Sequence, residues 1–296
     1  MEGGIVTDII VPLCLAAMMV GLGVTLVPDD FRRVLVYPKS TALGLALQMI
    51  VLPLVGFVLA SLVPLTPEAR VGIVLLTACP GGVASNVIVH LAKGDTALAV
   101  TLTVVSSALS LITIPLYVGL ALQHFMGMES SIRLPVWDTV IKVFILTVPT
   151  VAAGMLWKWR SESVAEKAEK PIRIGGLLFL VLLVVGVGIS ERDIIFEESL
   201  GVGPVTLALC VSTTLIGYIA ARAAAIAVPA ARSIAICTGF QNSALALVIA
   251  TSFLESAEIA IPPAVYTVVM YLTAGVWVAV VNYRNAGSND QPPGQA

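Results

Sequence analysis

The side chains with chemistry to offer are amides and hydroxyls, and they concentrate in two short insertions inside apolar runs. The first is Ala78-Cys79-Pro80-Gly81-Gly82-Val83-Ala84-Ser85-Asn86-Val87, within the run Val71 to Leu91. The second is Cys237-Thr238-Gly239-Phe240-Gln241-Asn242-Ser243, within Ser233 to Leu254. Such groups give hard oxygens to a cation, and interrupted helix ends give N–H donors and partial positive charge to an anion. Small polar residues can also serve close packing of membrane helices. That explanation suits isolated Ser or Gly and suits poorly the triplet Gln241-Asn242-Ser243, because unsatisfied amides cost several kcal/mol in hydrocarbon unless they face protein, water or an ion.

Pro80 removes a backbone donor, and Gly81-Gly82 lets the backbone leave the helix, so the first run is expected to be two half-helices with an unwound crossing between them. Broken helices at mid-membrane depth point to a transport site. Each insertion has a cysteine, a glycine two residues on, and an asparagine beside a serine. The two therefore read as matching halves of an internal repeat of about 150 residues, too long for a solenoid unit.

The elements that hold these insertions must lie in a bilayer. The 296 residues are 58% hydrophobic and 11% charged, with a mean hydropathy of +1.01, against about 25% charged residues in soluble domains. An all-α polytopic membrane protein follows, multi-pass in the cell membrane. A net charge of −2 gives no sign of a nucleic-acid partner, and no phosphate loop or metal-ligand cluster appears. Cys14, Cys79, Cys210 and Cys237 all lie in apolar runs, which argues against a disulfide framework. Met1-Glu2-Gly3-Gly4 lacks a basic start, so the first apolar run reads as a retained helix. An intramembrane protease would need a mid-membrane Asp pair or a Ser with a His base, and no enzyme activity is expected.

Apolar runs of about 20 residues give nine spans, roughly 5–27, 40–62, 70–92, 96–122, 135–157, 172–190, 202–226, 232–254 and 262–282. Breaks fall at Pro28-Asp29-Asp30, Thr66-Pro67-Glu68 and Pro262-Pro263. The stretch 285–296 reads as a disordered cytoplasmic tail. With the N-terminus outside and the C-terminus cytoplasmic, the inner segments hold twelve Lys and Arg, from Arg32 and Arg33 to Lys93, Arg222, Arg232 and Arg284, and the outer loops three, Arg70, Arg133 and Arg192. Lys142 lies near a helix end and can snorkel. Thr103, Ser106, Ser110 and Thr113 share one face of the fourth span, with Ser107 beside them. Back-bonding to the preceding turn is expected for Ser110 and Thr113, and a ligand role for Thr103. His90 reads equally as a functional membrane histidine and as an interfacial one, and Lys93-Gly94-Asp95 as a turn.

On Cys79-Pro80-Gly81-Gly82-Val83-Ala84-Ser85-Asn86-Val87, Lys93-Gly94-Asp95, Gly239-Phe240-Gln241-Asn242-Ser243 and Gly21-Leu22-Gly23-Val24-Thr25-Leu26 with the Pro28-Asp29-Asp30-Phe31 that follows, the chain resembles the bile acid:sodium symporter family, in particular its bacterial apical-bile-acid-transporter-like members. The resemblance implies one transmembrane unit, residues 1–284, with inverted repeats. A core from about 40–122 and 202–282 would carry two crossing broken helices, and a panel would come from about 5–27 and 135–190. Some bacterial members have ten spans, of which this chain would lack the first. The resemblance implies two sodium sites. One would use Ser85, Asn86 and Thr103; the other Gln48, Gln241 and backbone carbonyls of Thr238 and Phe240. Two positions depart. A hydroxyl ligand one turn before Thr103 is Ala99 here, and a glutamate serving both sites is Cys237, whose thiol is mostly neutral at pH 7 and a soft ligand. Sodium as coupling ion is therefore expected to bind weakly.

The expected function is secondary active transport of a small organic anion, a bile acid, steroid conjugate or small carboxylate, sodium-coupled by alternating access. The half-helix N-termini at Gly82, Val83, Asn242 and Ser243 would receive its carboxylate. The alternatives are a proton-coupled or facilitative carrier on the same fold, an arsenite exporter with Cys79 as ligand, and a binding or receptor homologue that has lost transport.

Overall fold

A computed structural model describes residues 20–21, 23–24, 38–127, 149–150, 152–161, 163–164, 167–168, 171, 175, 192–254 and 256–289, with the side chains of 83, 192–200, 252, 282 and 284–289 outside the description. The spans expected at 5–27 and 172–190 lie almost wholly outside these residues, as does most of 135–157, where the helix 152–160 begins inside the expected span and runs three residues beyond it.

The elements of the described residues are all helices, joined by short turns and unwound links. Helices α1 (Pro38–Ala46) and α2 (Leu52–Leu62) are joined without interruption by a π-helical turn, Leu47–Val51. They are followed by α3 (Pro67–Ala78), α4 (Val83–Leu91) and α5 (Thr96–Ala121), which runs on into a second π-turn, Leu122–Met126. Then come α6 (Arg192–Ala223), α7 (Val228–Gly239), α8 (Ser243–Val248) with a π-turn at Ile249–Phe253, and α9 (Ala257–Asn289). Among the described residues, four helices are long and apolar enough to cross a membrane: Pro38–Leu62, Thr96–Met126, Gly201–Ala223 and Ala257–Val281. The pairs α3/α4 and α7/α8 are the broken helices, each standing between two of the long ones.

The ends of these helices follow from their sequence. Pro67 sits in the first turn of α3, where its missing N–H costs nothing, and Thr66 caps the Ala69 N–H at 3.3 Å. Asp95 caps α5 through the Leu98 N–H at 3.0 Å. Lys93-Gly94-Asp95 is the expected turn, with Lys93 at φ 54°. It is tied to the start of α7 by Arg232 Nη1, which donates to the Ala92 and Lys93 carbonyls at 3.3 and 3.4 Å, and by Ser233 Oγ, which donates to the Asp95 carbonyl at 2.8 Å.

Two boundaries differ from the apolar runs. α6 begins at Arg192, and α9 continues to Asn289, into the stretch read as a disordered tail. Hydropathy marks where hydrocarbon ends, whereas backbone hydrogen bonding carries a helix beyond it.

Most of the core is one cluster, in which Leu52, Ile73, Leu75, Leu76, Leu102, Leu209, Ile234, Ile236, Phe240 and Tyr266 are fully buried, with a small second cluster of Ala69, Val202 and Ile261. Exposed apolar residues recur every four positions: Ile50, Leu54, Val58 and Leu62 on the first span, Ile112, Leu116 and Leu120 on α5, Leu207, Val211, Leu215 and Ile219 on α6, and Val268, Leu272, Val276 and Val280 on α9. Rows at that spacing form one helix face, and in a bilayer such faces meet lipid. The polar faces are turned inward, so the insertions of α3/α4 and α7/α8 meet at the centre.

Candidate functional site: the crossing of two broken helices

The unwound links of the two broken helices lie against each other as a short antiparallel bridge centred on Gly81 and Gln241. The Gly82 N–H donates to the Phe240 carbonyl at 3.1 Å, and the Asn242 N–H to the Pro80 carbonyl at 2.8 Å. These bonds satisfy groups that the breaks release, which is how irregular backbone persists at membrane depth.

Glycine serves here in a way the sequence did not suggest. Gly82 has φ −72° and ψ 145°, an extended conformation open to any residue. What matters is the missing Cβ. On Gly82 it would stand 3.2 Å from the Gln241 carbonyl, on Gly81 2.9 Å from Gln48 Nε2, and on Gly239 it would collide with Thr214 Oγ1. Glycine at these positions admits close neighbours. For Gly239, close helix packing against α6 is the explanation that holds.

Around the bridge lie most of the residues singled out from the sequence. Gln48 enters from the π-turn between α1 and α2, wholly buried, with neither amide atom hydrogen-bonded. Gln241 commits its Nε2 to the Thr238 carbonyl at 2.7 Å and the Cys237 carbonyl at 3.5 Å, which leaves its buried Oε1 without a partner. Thr103 Oγ1 donates to the Ala99 carbonyl at 2.9 Å and reaches Asn86 Oδ1 at 3.3 Å. A Cβ on Gly81 would lie 3.7 Å from both Thr103 Oγ1 and the Cys237 carbonyl, which places these groups and Gln48 on one side of the bridge. Ser85 Oγ donates to the Gly82 carbonyl at 2.6 Å, and the Cys237 thiol is buried. The Phe240 carbonyl is taken by Gly82, and the Phe240 ring is buried in the core. An unpaired buried amide costs about 1–3 kcal/mol; the two orphaned oxygens, Gln48 Oε1 and Gln241 Oε1, call for a cation or a donor, and the orphaned Gln48 Nε2 for an acceptor.

The helix N-termini differ. Asn242 caps α8 by accepting the Leu245 N–H at 3.1 Å, and the Asn242 and Ser243 N–H groups are bonded to Pro80 and Gln241 carbonyls. Ser243 Oγ accepts from Thr267 Oγ1 at 2.8 Å. Gly82 and Val83 begin α4 with no side-chain cap. His90 is exposed in the last turn of α4, away from the bridge. In the hydroxyl stripe, Ser106 and Ser107 back-bond to the Thr103 carbonyl and Ser110 to that of Ser107. Thr113 instead turns across to Met49 Sδ at 4.0 Å, because α5 packs against the π-turn there.

Sequence reasoning passed over a second set. Tyr266 is wholly buried and donates to the Gly239 carbonyl at 2.5 Å, Cys210 Sγ approaches the same carbonyl at 3.6 Å, and Thr273 lies 3.1 Å from Cys210. A phenol in the middle of an apolar run was the available signal, since a buried tyrosine hydroxyl needs a partner.

The sodium bile acid symporter family matches the chain over residues 12–198. The chain belongs to that family. Its members are transporters rather than enzymes. The likeness of individual relatives extends over nearly the whole chain. An uncharacterised sodium-dependent transporter of Bacillus subtilis is 29% identical over 94% of this chain and 86% of its own length. A probable chloroplastic sodium/metabolite cotransporter of Arabidopsis thaliana is 30% identical over 89% of this chain, which spans 65% of that protein. The ileal sodium/bile acid cotransporter of Oryctolagus cuniculus is 26% identical over 97% of this chain and 83% of its own.

Proposed function

We propose that this symporter-family protein is a sodium-coupled secondary transporter of a small organic anion, and that the bridged crossing is where ion and anion meet. The observation that carries the reading is the buried Gln48 amide, with neither atom partnered, and the buried, unpartnered Oε1 of Gln241, beside a bridge that joins two broken helices. Amide, hydroxyl and carbonyl oxygens suit a hard cation, so the chemistry of the donor set fits sodium. Gln48, Gln241 and the Thr238 and Phe240 carbonyls form one proposed group of ligands; Ser85, Asn86 and Thr103 form the other. The carboxylate of the anion goes to the uncapped start of α4 at Gly82 and Val83, with Asn242 and Ser243 opposite. The names of the relatives favour sodium as the driving ion and bile acids or small metabolites as the substrate class.

The rest of the architecture is proposed on the same footing: nine spans in inverted repeats, a core that moves against a panel by alternating access, and an outside N-terminus. The basic residues Lys93, Arg222 and Arg232 at helix ends support the cytoplasmic assignment of those ends. No carboxylate belongs to the proposed ligand set, since Cys237 is a thiol, and this favours weak sodium binding that strengthens when the anion supplies the charge. The same feature is what a facilitative carrier would show.

Uptake of a panel of radiolabelled bile acids and small carboxylates into proteoliposomes, with sodium and proton gradients imposed separately, tests the reading. An inward sodium gradient is expected to drive accumulation. Accumulation driven by protons alone, or equilibration without accumulation under either gradient, would replace it with one of the alternatives.

A further inference from the structure

We propose that Tyr117 is a positioning residue whose hydroxyl holds the π-turn that aims Gln48 into the ion site; the inference rests on the ion-site reading above. The chain of causes begins with Pro53, in the first turn of α2. Having no N–H, it can give nothing to the Met49 carbonyl four residues back. The helix widens at this point into the π-turn Leu47–Val51, in which the Leu52 N–H reaches the Leu47 carbonyl. Widened turns of this kind are common at functional sites. The Tyr117 hydroxyl, from α5, donates to the Met49 carbonyl at 2.9 Å, and Thr113, one turn earlier on the same face, reaches Met49 Sδ at 4.0 Å.

Met49 is thus gripped through both its backbone and its side chain, and the residue before it is Gln48, whose wholly buried amide has no partner of its own to hold it. Against Gly81 there is no room for the amide to be held by anything bulkier. The helix that supplies Tyr117 also supplies Thr103, about four turns away. α5 therefore fixes one proposed ligand directly and another through Met49, and the two move together. A tyrosine that only filled a carbonyl would stabilise the fold without affecting the ion. A positioning tyrosine must act through Gln48.

The test uses the full-length protein in detergent, with sodium alone as ligand and potassium chloride as the ionic-strength control. The readout is the sodium concentration giving half of the sodium-dependent rise in unfolding temperature. Tyr117→Phe, Gln48→Ala and the double variant are compared with native protein, and amide hydrogen exchange is followed over residues 47–53. Tyr117→Phe is expected to raise the half-point about fivefold, as loss of one hydrogen bond allows, and to speed exchange in that segment. Gln48→Ala should raise the half-point at least as far, and the double variant no further. A Tyr117→Phe protein with a lower unfolding temperature and an unchanged half-point overturns the inference, as does full additivity in the double variant. If sodium stabilises none of the proteins, the ion-site reading fails and this inference with it. Sodium stabilisation without sodium-driven uptake would strike the transport reading and leave this one standing.

Discussion

Asn242 closes the start of α8 with its own side chain, whereas α4 starts at Gly82 with no side-chain cap. The contrast extends to the other half of each break. At the end of α7, Gln241 covers the Thr238 and Cys237 carbonyls, Tyr266 covers that of Gly239, and Gly82 covers that of Phe240. The second crossing is thus satisfied from within except for one oxygen, Gln241 Oε1. At the first, α4 starts with no side-chain cap, although its Gly82 N–H is taken by the Phe240 carbonyl. On the proposed reading, two insertions that look alike in sequence would divide the work: the second presents an orphaned acceptor, which suits a cation, and the first an uncapped helix start, which suits an anion.

The largest effect that could break this division is expected from Gln241→Ala. It removes the proposed ion ligand and uncovers two buried carbonyls, so sodium-driven uptake should fall to background, with a stability loss of about 1–3 kcal/mol. Asn86→Ala should also abolish uptake while leaving thermal unfolding near that of native protein. Proteoliposome uptake and scanning calorimetry read both; normal transport by either variant would remove its residue from the site.

Next in size is Gly239→Ala. Because its Cβ would collide with Thr214 Oγ1, a loss of about 1–3 kcal/mol is expected, relieved by adding Thr214→Ala, which removes that oxygen, and not by Thr214→Ser, which keeps it. Gly275→Ala, where a Cβ meets nothing within 4 Å, should be neutral or slightly stabilising and serves as control. Equal effects at both glycines, measured by thermal unfolding, would show that backbone freedom rather than packing matters at Gly239.

Cys237→Glu sharpens the electrostatic half of the comparison. A carboxylate about 4 Å from a cation at an effective dielectric near 20 contributes roughly 4 kcal/mol before its own desolvation is subtracted, so sodium affinity should rise by at least about tenfold. Titration calorimetry with and without the anion decides it. The native protein is expected to bind sodium measurably only with anion present. Tight native binding in its absence, unchanged by the substitution, would show that neutral oxygens suffice.

The smallest effect is expected from Asn242→Ala. Loss of the α8 cap should cost about 1 kcal/mol and reduce uptake only modestly, because the N–H it frees is that of Leu245, while the Asn242 and Ser243 N–H groups stay bonded to the Pro80 and Gln241 carbonyls. If Asn242→Ala instead abolishes uptake at native stability, the Asn242 side chain itself binds the anion and the division between the crossings is wrong.

The sequence alone was enough to place the breaks. Pro80 and the apolar flanks locate the first, the Gln241-Asn242-Ser243 triplet the second, and α4 and α8 begin at Val83 and Ser243, next to the expected residues. It was enough because a proline's missing donor and an amide in an apolar run are local facts, with the same meaning whatever packs nearby. The turn at Lys93-Gly94-Asp95 was legible for the same reason. What the tertiary structure alone decided is who faces whom. Gly81 faces Gln48 from a different helix, Gly239 faces Thr214, the Met49 carbonyl left by Pro53 finds Tyr117, and the Gly239 carbonyl finds Tyr266. Each of these is a pairing between residues far apart in the chain, set by the angle and depth at which helices pack. No periodicity along one helix encodes the depth of another. The sequence therefore showed that polar groups had been released into the bilayer, and only the packed helices determined which were answered and which were left open.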